Sequence, residues 1–309
     1  MPVVSIRHLT SYRYRNPVAF GEHRMMLRPL ESYDQRLLSA ELTISPEPSV
    51  LHTVQDVFGN CVGIARFQGR SDTICFDSTV RLEHTPQPAF AGLDGDDGYR
   101  ATLPFAYSPD DLPDLARSME RLHPDPDGVV EAWARRFVRR VGKTSLRTLL
   151  SDMTHAIHGG FSYGTRLSGE PQAPLETLAL RSGSCRDFAM LMIEAVRSLG
   201  FAARFVSGYI YSSSSKLGGR TGGGHTHAWV RIYLPVCGWV EFDPTNGIVG
   251  NADLVRVAIA RDPRQAVPLH GTWAGLASDY LGMDVTVDVS VEEDAAAQPA
   301  PLLRVAQGR

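Results

Sequence analysis

The apolar and polar positions divide the chain into an early region of period two and a later region of helices followed by strands. Val4, Ile6, His8, Thr10 and Tyr12 alternate with their neighbours, as do Leu38, Ala40, Leu42 and Ile44, then Val62 and Ile64. Residues 74–82 add a run rich in β-branched side chains. Asn16-Pro17, Pro46-Glu47-Pro48 and Gly59-Asn60 punctuate these runs as turns. Several short strands at this spacing predict an N-terminal all-β, sandwich-like domain. Residues 86–114 lack periodicity and carry Pro86, Pro88, Gly92, Gly95 and Gly98, so they read as a linker.

Helical spacing then takes over. Residues 113–122 predict a short helix, and residues 129–141 a longer one with Val130, Trp133, Ala134, Phe137 and Val141 on one side. Thr144 or Ser145 caps a third, whose apolar face is Leu146, Leu149, Leu150, Met153 and Ile157. One helical turn at 175–180 leads to a stripe formed by Phe188, Leu191, Met192, Ala195, Val196 and Leu199, which Gly200 terminates. Strand patterns follow at 203–211, 227–234 and 239–243, with a turn at 235–238, and residues 285–291 alternate as a closing strand. Helices that precede strands argue for an α+β core with an antiparallel sheet. The expected division is 1–100 for the β-rich domain and linker, 101–291 for the core with its closing strand, and 292–309 for a loose tail.

A chain of 309 residues suits two domains, and 43% hydrophobic with 21% charged residues is the make-up of a soluble protein with a sizeable core. The net charge of −3 and the absence of a basic run argue against nucleic acid as a partner. No apolar run approaches the ~18 residues of a membrane span, and the first residues lack a secretion signal. Cys61, Cys75, Cys185 and Cys237 are widely spread with no Cys-x-x-Cys pair. That usage fits a reducing, cytoplasmic setting and neither a disulfide scaffold nor a zinc ribbon. His8, His23, His52 and His84 are not paired at ligand spacing, so neither metal nor cofactor is expected there.

One cysteine stands apart. Cys185 falls in the first turn of the helix that Ser182 or Ser184 can cap, where free amides and the helix dipole favour a thiolate. The alternative is a small apolar residue tucked under a helix. A cysteine nucleophile needs an imidazole base, and the base needs an oxygen acceptor to hold its tautomer. His227 and Asp243 lie on the two following strands. If Leu234 sits opposite Gly238, then Trp229 faces Asp243 and His227 is its diagonal neighbour on the same face. Shifting that register by one residue would separate them. His225 and His227 also have a spacing used by zinc, with Cys185 or Asp243 as a third ligand. Asp187 is either a second acid or a first-turn carboxylate complementing the dipole. Trp229 and Trp239 either pack around the three residues or touch substrate, and Cys61, Cys75 and Cys237 are bystanders.

Gly183-Ser184-Cys185-Arg186-Asp187-Phe188-Ala189, His227-Ala228-Trp229-Val230 and Phe242-Asp243-Pro244-Thr245-Asn246 resemble, in order, the three motifs of the transglutaminase-like superfamily. Residues 205–209 resemble the strand after that family's cysteine helix. His8-x-Thr10-x-Tyr12-x-Tyr14 and Asp56-x-Phe58-Gly59-Asn60 resemble the β-rich N-terminal region of its bacterial members, among them cysteine proteases. Arg261-Asp262 and Pro268-Leu269-x-Gly271 resemble the segment after the core. The resemblance implies a papain-like α+β core with Cys185 as nucleophile, His227 as base and Asp243 as orienting acid. Tyr163, on an extended piece upstream, is a candidate second oxyanion donor beside the Cys185 amide. His225 departs from the pattern, where a small or acidic residue is expected, and the Ser/Gly-rich stretch 212–224 lengthens the entrance as a mobile edge. The expected reaction is acyl transfer at a peptide, isopeptide or side-chain amide of a peptide or protein substrate, with water as the favoured acceptor. An amine acceptor would make the chain a crosslinking transglutaminase, and a third possibility is a non-enzymatic binding protein on a relic fold.

Overall fold

Val4, Ile6, His8, Thr10 and Tyr14 are buried while their odd-numbered neighbours are more exposed, so the early period of two is one face of a strand. In the computed structural model, which describes residues 2–90, 101–166, 169–211, 221 and 224–292, that strand is β1 (Val3–Met25). It runs through Asn16-Pro17, where a turn is expected. Register shifts after Arg13 against both neighbours bend the strand there, so a bulge does what a turn would have done. The bend lets β1 serve two layers. Further strands in this region are β2 (Gln35–Ser45), β3 (Val50–Gln55), β4 (Cys61–Arg66) and β5 (Ser71–His84). The first half of β1 pairs with β5, which also pairs with β2; the second half pairs with β4, which pairs with β3. Phe20, Met25 and Ala65 of one layer pack against Ile44, Ile74 and Phe76 of the other, closing the expected sandwich-like domain.

The helices are α1 (Leu112–Met119), α2 (Val129–Arg135), α3 (Leu146–Gly160), α4 (Pro174–Leu180) and α5 (Cys185–Ser198). α2 stops at Arg135, short of the expected 141, and Val141 is 86% exposed rather than on a packed face. The sheet behind them consists of β6 (Ala203–Ile210), β7 (His227–Leu234), β8 (Gly238–Asp243) and β9 (Leu254–Ala260). Its order is Ile248–Val249, β8, β7, β6, β9, and every pairing is antiparallel. All seven residues of β9 are buried. A strand covered on both faces shows no alternation, which is why the sequence pattern does not mark it.

Two layers cover this sheet. Ala203, Phe205, Val230, Ile232, Ala258 and Ala260 face the helices, with α5 at the centre. Tyr209, Tyr211, Val255 and Val257 face Val4, Ile6, Val80 and Leu82 of the N-terminal sheet. The chain then leaves the core through β10 (Leu269–Ala274) and β11 (Tyr280–Glu292). Both return to β1, β11 pairing from Val3↔Glu292 to Tyr14↔Tyr280. The closing strand expected within the 101–291 core therefore completes the other domain. Physically, without β10 and β11 one edge of β1 would stay open, whereas the outer edge of β9 is already taken by Leu30, Gln35 and Asn60. The tail from 293, most of the Ser/Gly-rich stretch and residues 91–100 of the linker lie outside the described residues. Among the described residues no helix is long and apolar enough to cross a membrane.

Polar contacts stitch the two domains. Asn60, at the tip of the β3–β4 hairpin, donates to the Ile259 carbonyl at 2.7 Å and accepts from its amide at 2.8 Å, imitating a strand partner along the edge of β9. His8 Nδ1 and Tyr209 Oη are 2.9 Å apart, and His84 Nδ1 and Tyr211 Oη 2.7 Å. Burial lowers each imidazole to about 4; for His84 it outweighs Asp34 and Asp253, which push upward, while Arg256 pushes down. A folded-state value below the ordinary 6.5 means stability that is present above pH 6.5 and lost as pH falls toward 4. Each ring should cost about 2 kcal/mol between pH 7 and pH 5. Urea unfolding at the two pH values checks this: the midpoint should fall at pH 5, and less so in His84→Gln. An unchanged midpoint would contradict it.

Candidate active site

Cys185 is the first residue of α5, with Ser184 as N-cap. Its amide is one of the four that a helix start leaves without an internal acceptor. The turn is held by Asp187. Asp187 Oδ2 accepts from the Ser184 amide at 2.7 Å and the Ser184 hydroxyl at 2.8 Å. Its Oδ1 accepts from Arg166 Nη2 at 2.5 Å and the Gln172 amide at 2.7 Å. All four contacts are structural, so the helix-start reading of Asp187 holds in an extended form: it also ties the 166–172 segment to the helix. Gly183 is required by this packing, since a Cβ there would lie 2.8 Å from Asp187 Cβ. Behind the turn, Phe188, Ala189, Leu191 and Met192 are buried against the sheet, which fixes the direction of α5.

β7 and β8 pair with Leu234 opposite Gly238 and continue to Val230 opposite Phe242, the register expected from the sequence. One step further, Trp229 faces Asp243, and His227 reaches the carboxylate across the diagonal: Nε2 donates to Asp243 Oδ2 at 2.8 Å. Both side chains are fully buried. The ring rests on Trp229, stacked at 6.0 Å with 25° between planes. Trp229 can lie there because Gly208, the partner of His227 on β6 and so diagonal to Trp229, has no side chain; a Cβ at Gly208 would come within 2.7 Å of the indole. Nε2 being taken, Nδ1 is left, and it has no other hydrogen-bond partner. Burial would lower the imidazole, but the charge and hydrogen bond of Asp243, then those of Cys185, override it and push His227 up to about 10. Asp243 stays below the usual carboxylate range: burial opposes ionisation, and His227, Asn246 and the Thr245 amide outweigh it.

Asn246 is the residue that motif reading left without a role. Its Nδ2 donates to Asp243 Oδ2 at 2.8 Å and to the Thr221 carbonyl at 3.1 Å, while Thr221 donates back to its Oδ1 at 2.9 Å. The Thr245 and Asn246 amides cap Asp243 Oδ1 at 2.9 and 3.4 Å. The signal was present as Asp-x-x-Asn, a turn in which an acid folds back on the following amides. His158 at the end of α3 holds the same turn through the Thr245 carbonyl at 2.8 Å.

A cleft of about 440 Å³ opens over Cys185. Tyr163 lines it, brought beside the thiol by the parallel pairing of Ser162–Tyr163 with Ser182–Gly183. Burial, then the neighbouring Cys185, pushes its phenol up to about 12, so it stays a donor. His225 also lines the cleft, but it lies in the turn before β7 rather than on the strand, and its Nδ1 is buried without a partner. Trp229 is fully buried and takes the packing alternative. Trp239 does not pack there: it sits near the other end of β8 against Tyr233 and under Arg204. Among the described residues no three His, Cys, Asp or Glu side chains group as metal ligands. Cys61, Cys75 and Cys237 are half-buried and do not line the cleft.

Comparison with known proteins covers both domains. Residues 4–83 match the bacterial transglutaminase-like N-terminal region, and residues 131–244 match the transglutaminase-like superfamily. An uncharacterized protein of Mycobacterium tuberculosis is 29% identical over 292 residues, spanning 92% of this chain and 91% of its own. One from Mycobacterium leprae is 32% identical over 123 residues, 40% of this chain and 43% of its own. The crystal structure of a candidate cysteine protease from Cytophaga hutchinsonii superposes with a TM-score of 0.68 at 18% identity, covering 96% of this chain and 92% of that one. With both family regions in their order on one continuous fold, the chain belongs to the transglutaminase-like superfamily and carries the N-terminal region of its bacterial members.

Proposed function

We propose that the protein is a cysteine-dependent acyl transferase that cleaves amide bonds of peptide or protein substrates, with Cys185, His227 and Asp243 as its triad. One observation carries the reading: the imidazole is held by Asp243 through Nε2 and left with Nδ1 for the thiol, whose presence raises its pKa. The Cys185 thiolate attacks the carbonyl carbon, forming the S–C bond. The Cys185 amide and the Tyr163 hydroxyl stabilise the oxyanion. The C–N bond breaks as His227 gives its proton to the leaving amine. Water then adds to the thioester, His227 taking its proton, and the acid departs as the thiol is restored. Hydrolysis is favoured because Thr165, Gly169, Glu170 and Arg264 at the rim of the cleft are exposed, so water reaches the thioester.

Substoichiometric iodoacetamide on the native protein tests the nucleophile. Cys185 should be labelled first, since burial pushes the Cys61 and Cys75 thiols up and away from thiolate. The preference should vanish in His227→Ala. Equal labelling of all four cysteines would sink the enzyme reading. A glutamine peptide offered with and without a primary amine then separates hydrolysis from crosslinking. A pH profile adds a second check. With His227 near 10, its proton is available to the leaving amine below that pH and lost above it. Amide turnover should therefore decline above pH 10 while alkylation of Cys185 does not.

A further inference from the structure

The inner face of the N-terminal sheet extends beyond the interface it makes with the core. Val4 and Ile6 of β1, with Val287 of β11, pack on Tyr209, Val255 and Val257 of the core sheet. The same face continues, two residues at a time, to Thr10 and Tyr12 on β1 and to their cross-strand partners Val285 and Met283 on β11. Beyond His8 there is no core strand left to cover it, and these four side chains instead line the cleft that holds Cys185.

Several polar groups around this arm are already committed. His8 spends Nδ1 on Tyr209 and Nε2 on the Thr10 hydroxyl, each at 2.9 Å. Arg166 is bound to Asp187 and Arg264 to Asp262, both at 2.5 Å, and Arg186 donates to the carbonyls of Gly169 and Arg166 at 2.8 and 2.9 Å. Apart from the Tyr12 hydroxyl, what the N-terminal wall offers a substrate is carbon.

We propose that Thr10, Tyr12, Met283 and Val285 form a specificity subsite of the cleft, selecting acyl donors with a bulky apolar side chain next to the carbonyl that Cys185 attacks. The inference rests on the acyl-transfer reading above. It gives the N-terminal domain a direct part in substrate choice: the domain supplies one wall of the site, and the core supplies the nucleophile. A charged side chain in the same position would lose its water against a largely apolar wall that carries no opposite charge.

Peptidyl chloromethyl ketones test this on the full chain. The thiolate displaces chloride from the methylene carbon, so the side chain next to the ketone is held against the subsite as the S–C bond forms. Rates at Cys185 are compared for N-acetyl-phenylalanyl and N-acetyl-aspartyl probes, each divided by its rate with glutathione, with iodoacetamide as a reference lacking a side chain. The phenylalanyl probe should be favoured by at least about tenfold. The preference should drop to within about threefold in Val285→Asp. Met283→Gln keeps the side-chain length with a polar end, and should lower the preference in the same direction if Val285→Asp does not fold. Equal corrected rates for the two probes, or a preference untouched by either variant, would overturn the subsite while leaving Cys185 reactive. Failure of iodoacetamide itself to favour Cys185 overturns the acyl-transfer reading and the subsite with it.

Discussion

Asp243→Asn should slow amide turnover by about 10⁴-fold, the scale on which a wrong imidazole tautomer acts in triad enzymes, while the protein stays folded. The reason is the company the carboxylate keeps. Oδ1 accepts from the Thr245 and Asn246 amides, and Oδ2 from His227 Nε2 and Asn246 Nδ2. Every neighbour is a donor. An asparagine brings an NH₂ group of its own, and with its oxygen kept on the two amides that group points at His227. Nε2 must then become the acceptor, which moves the ring proton to Nδ1 and removes the lone pair that takes the thiol proton. Without the Asp243 charge and hydrogen bond, burial is opposed only by Cys185, and the His227 pKa should fall from about 10. The pH profile of Cys185 alkylation reads this shift directly. Turnover within tenfold of the wild type, or an unmoved profile, would remove Asp243 from the orienting role. Asn246→Ala should act in the same direction but more weakly, because His227 keeps its acceptor.

The largest stability effect is expected at Arg256→Met. Arg256 Nη1 donates to Asp34 Oδ2 and Glu241 Oε1, each at 2.8 Å, and Nη2 donates to Ser32 Oγ at 2.7 Å and to Asp34 Oδ1. Asp34 comes from the N-terminal domain, Glu241 from β8 and Arg256 from β9, and all three are buried. The two carboxylates push the guanidinium above its usual range against burial, and Arg256 in turn holds Asp34 down to about 2. Methionine fills the space but leaves two buried carboxylates facing each other. Breaking a buried pair in this way costs about 3–5 kcal/mol, here with two anions left behind. Urea unfolding at pH 7 should show the loss, and Asp34→Asn with Glu241→Gln in the same chain should recover part of it. A change below about 1 kcal/mol would show that the cluster is not holding the domains together. Because Glu241 lies two residues from Asp243 on β8, the same variant should also loosen the site.

Much of the site was legible because it is local. A capped helix start with Cys185 in its first turn, and two strands joined by a short turn, are features that neighbouring residues specify. The pairing of Leu234 with Gly238 is one of the registers the turn allows, and the fold adopts it, which carries His227 to Asp243. Asn246 shows in the sequence only as part of an Asp-x-x-Asn turn, and its task depends on where the fold sets its Nδ2, on the Asp243 carboxylate. Where the pattern misled, a distant partner had decided the matter. Asn16-Pro17 reads as a turn, yet β5 takes up β1 again at Val18 and β10 at Ala19, so the chain passes through as a bulge instead of reversing. β9 carries no alternation because helices cover one of its faces and a second domain the other.

Period and capping alone thus determined an all-β beginning, an α+β core, and a cysteine in the first turn of a helix followed by strands that carry a histidine and an acid. Tertiary structure decided what surrounds them. β11 returns some 270 residues later to β1, and the face these two strands share, beyond the reach of the core strands past His8, becomes a wall of the cleft. A strand's alternation says which of its faces is apolar. It does not say whether core, domain or substrate will cover that face, because burial is a property of what arrives from elsewhere in the chain.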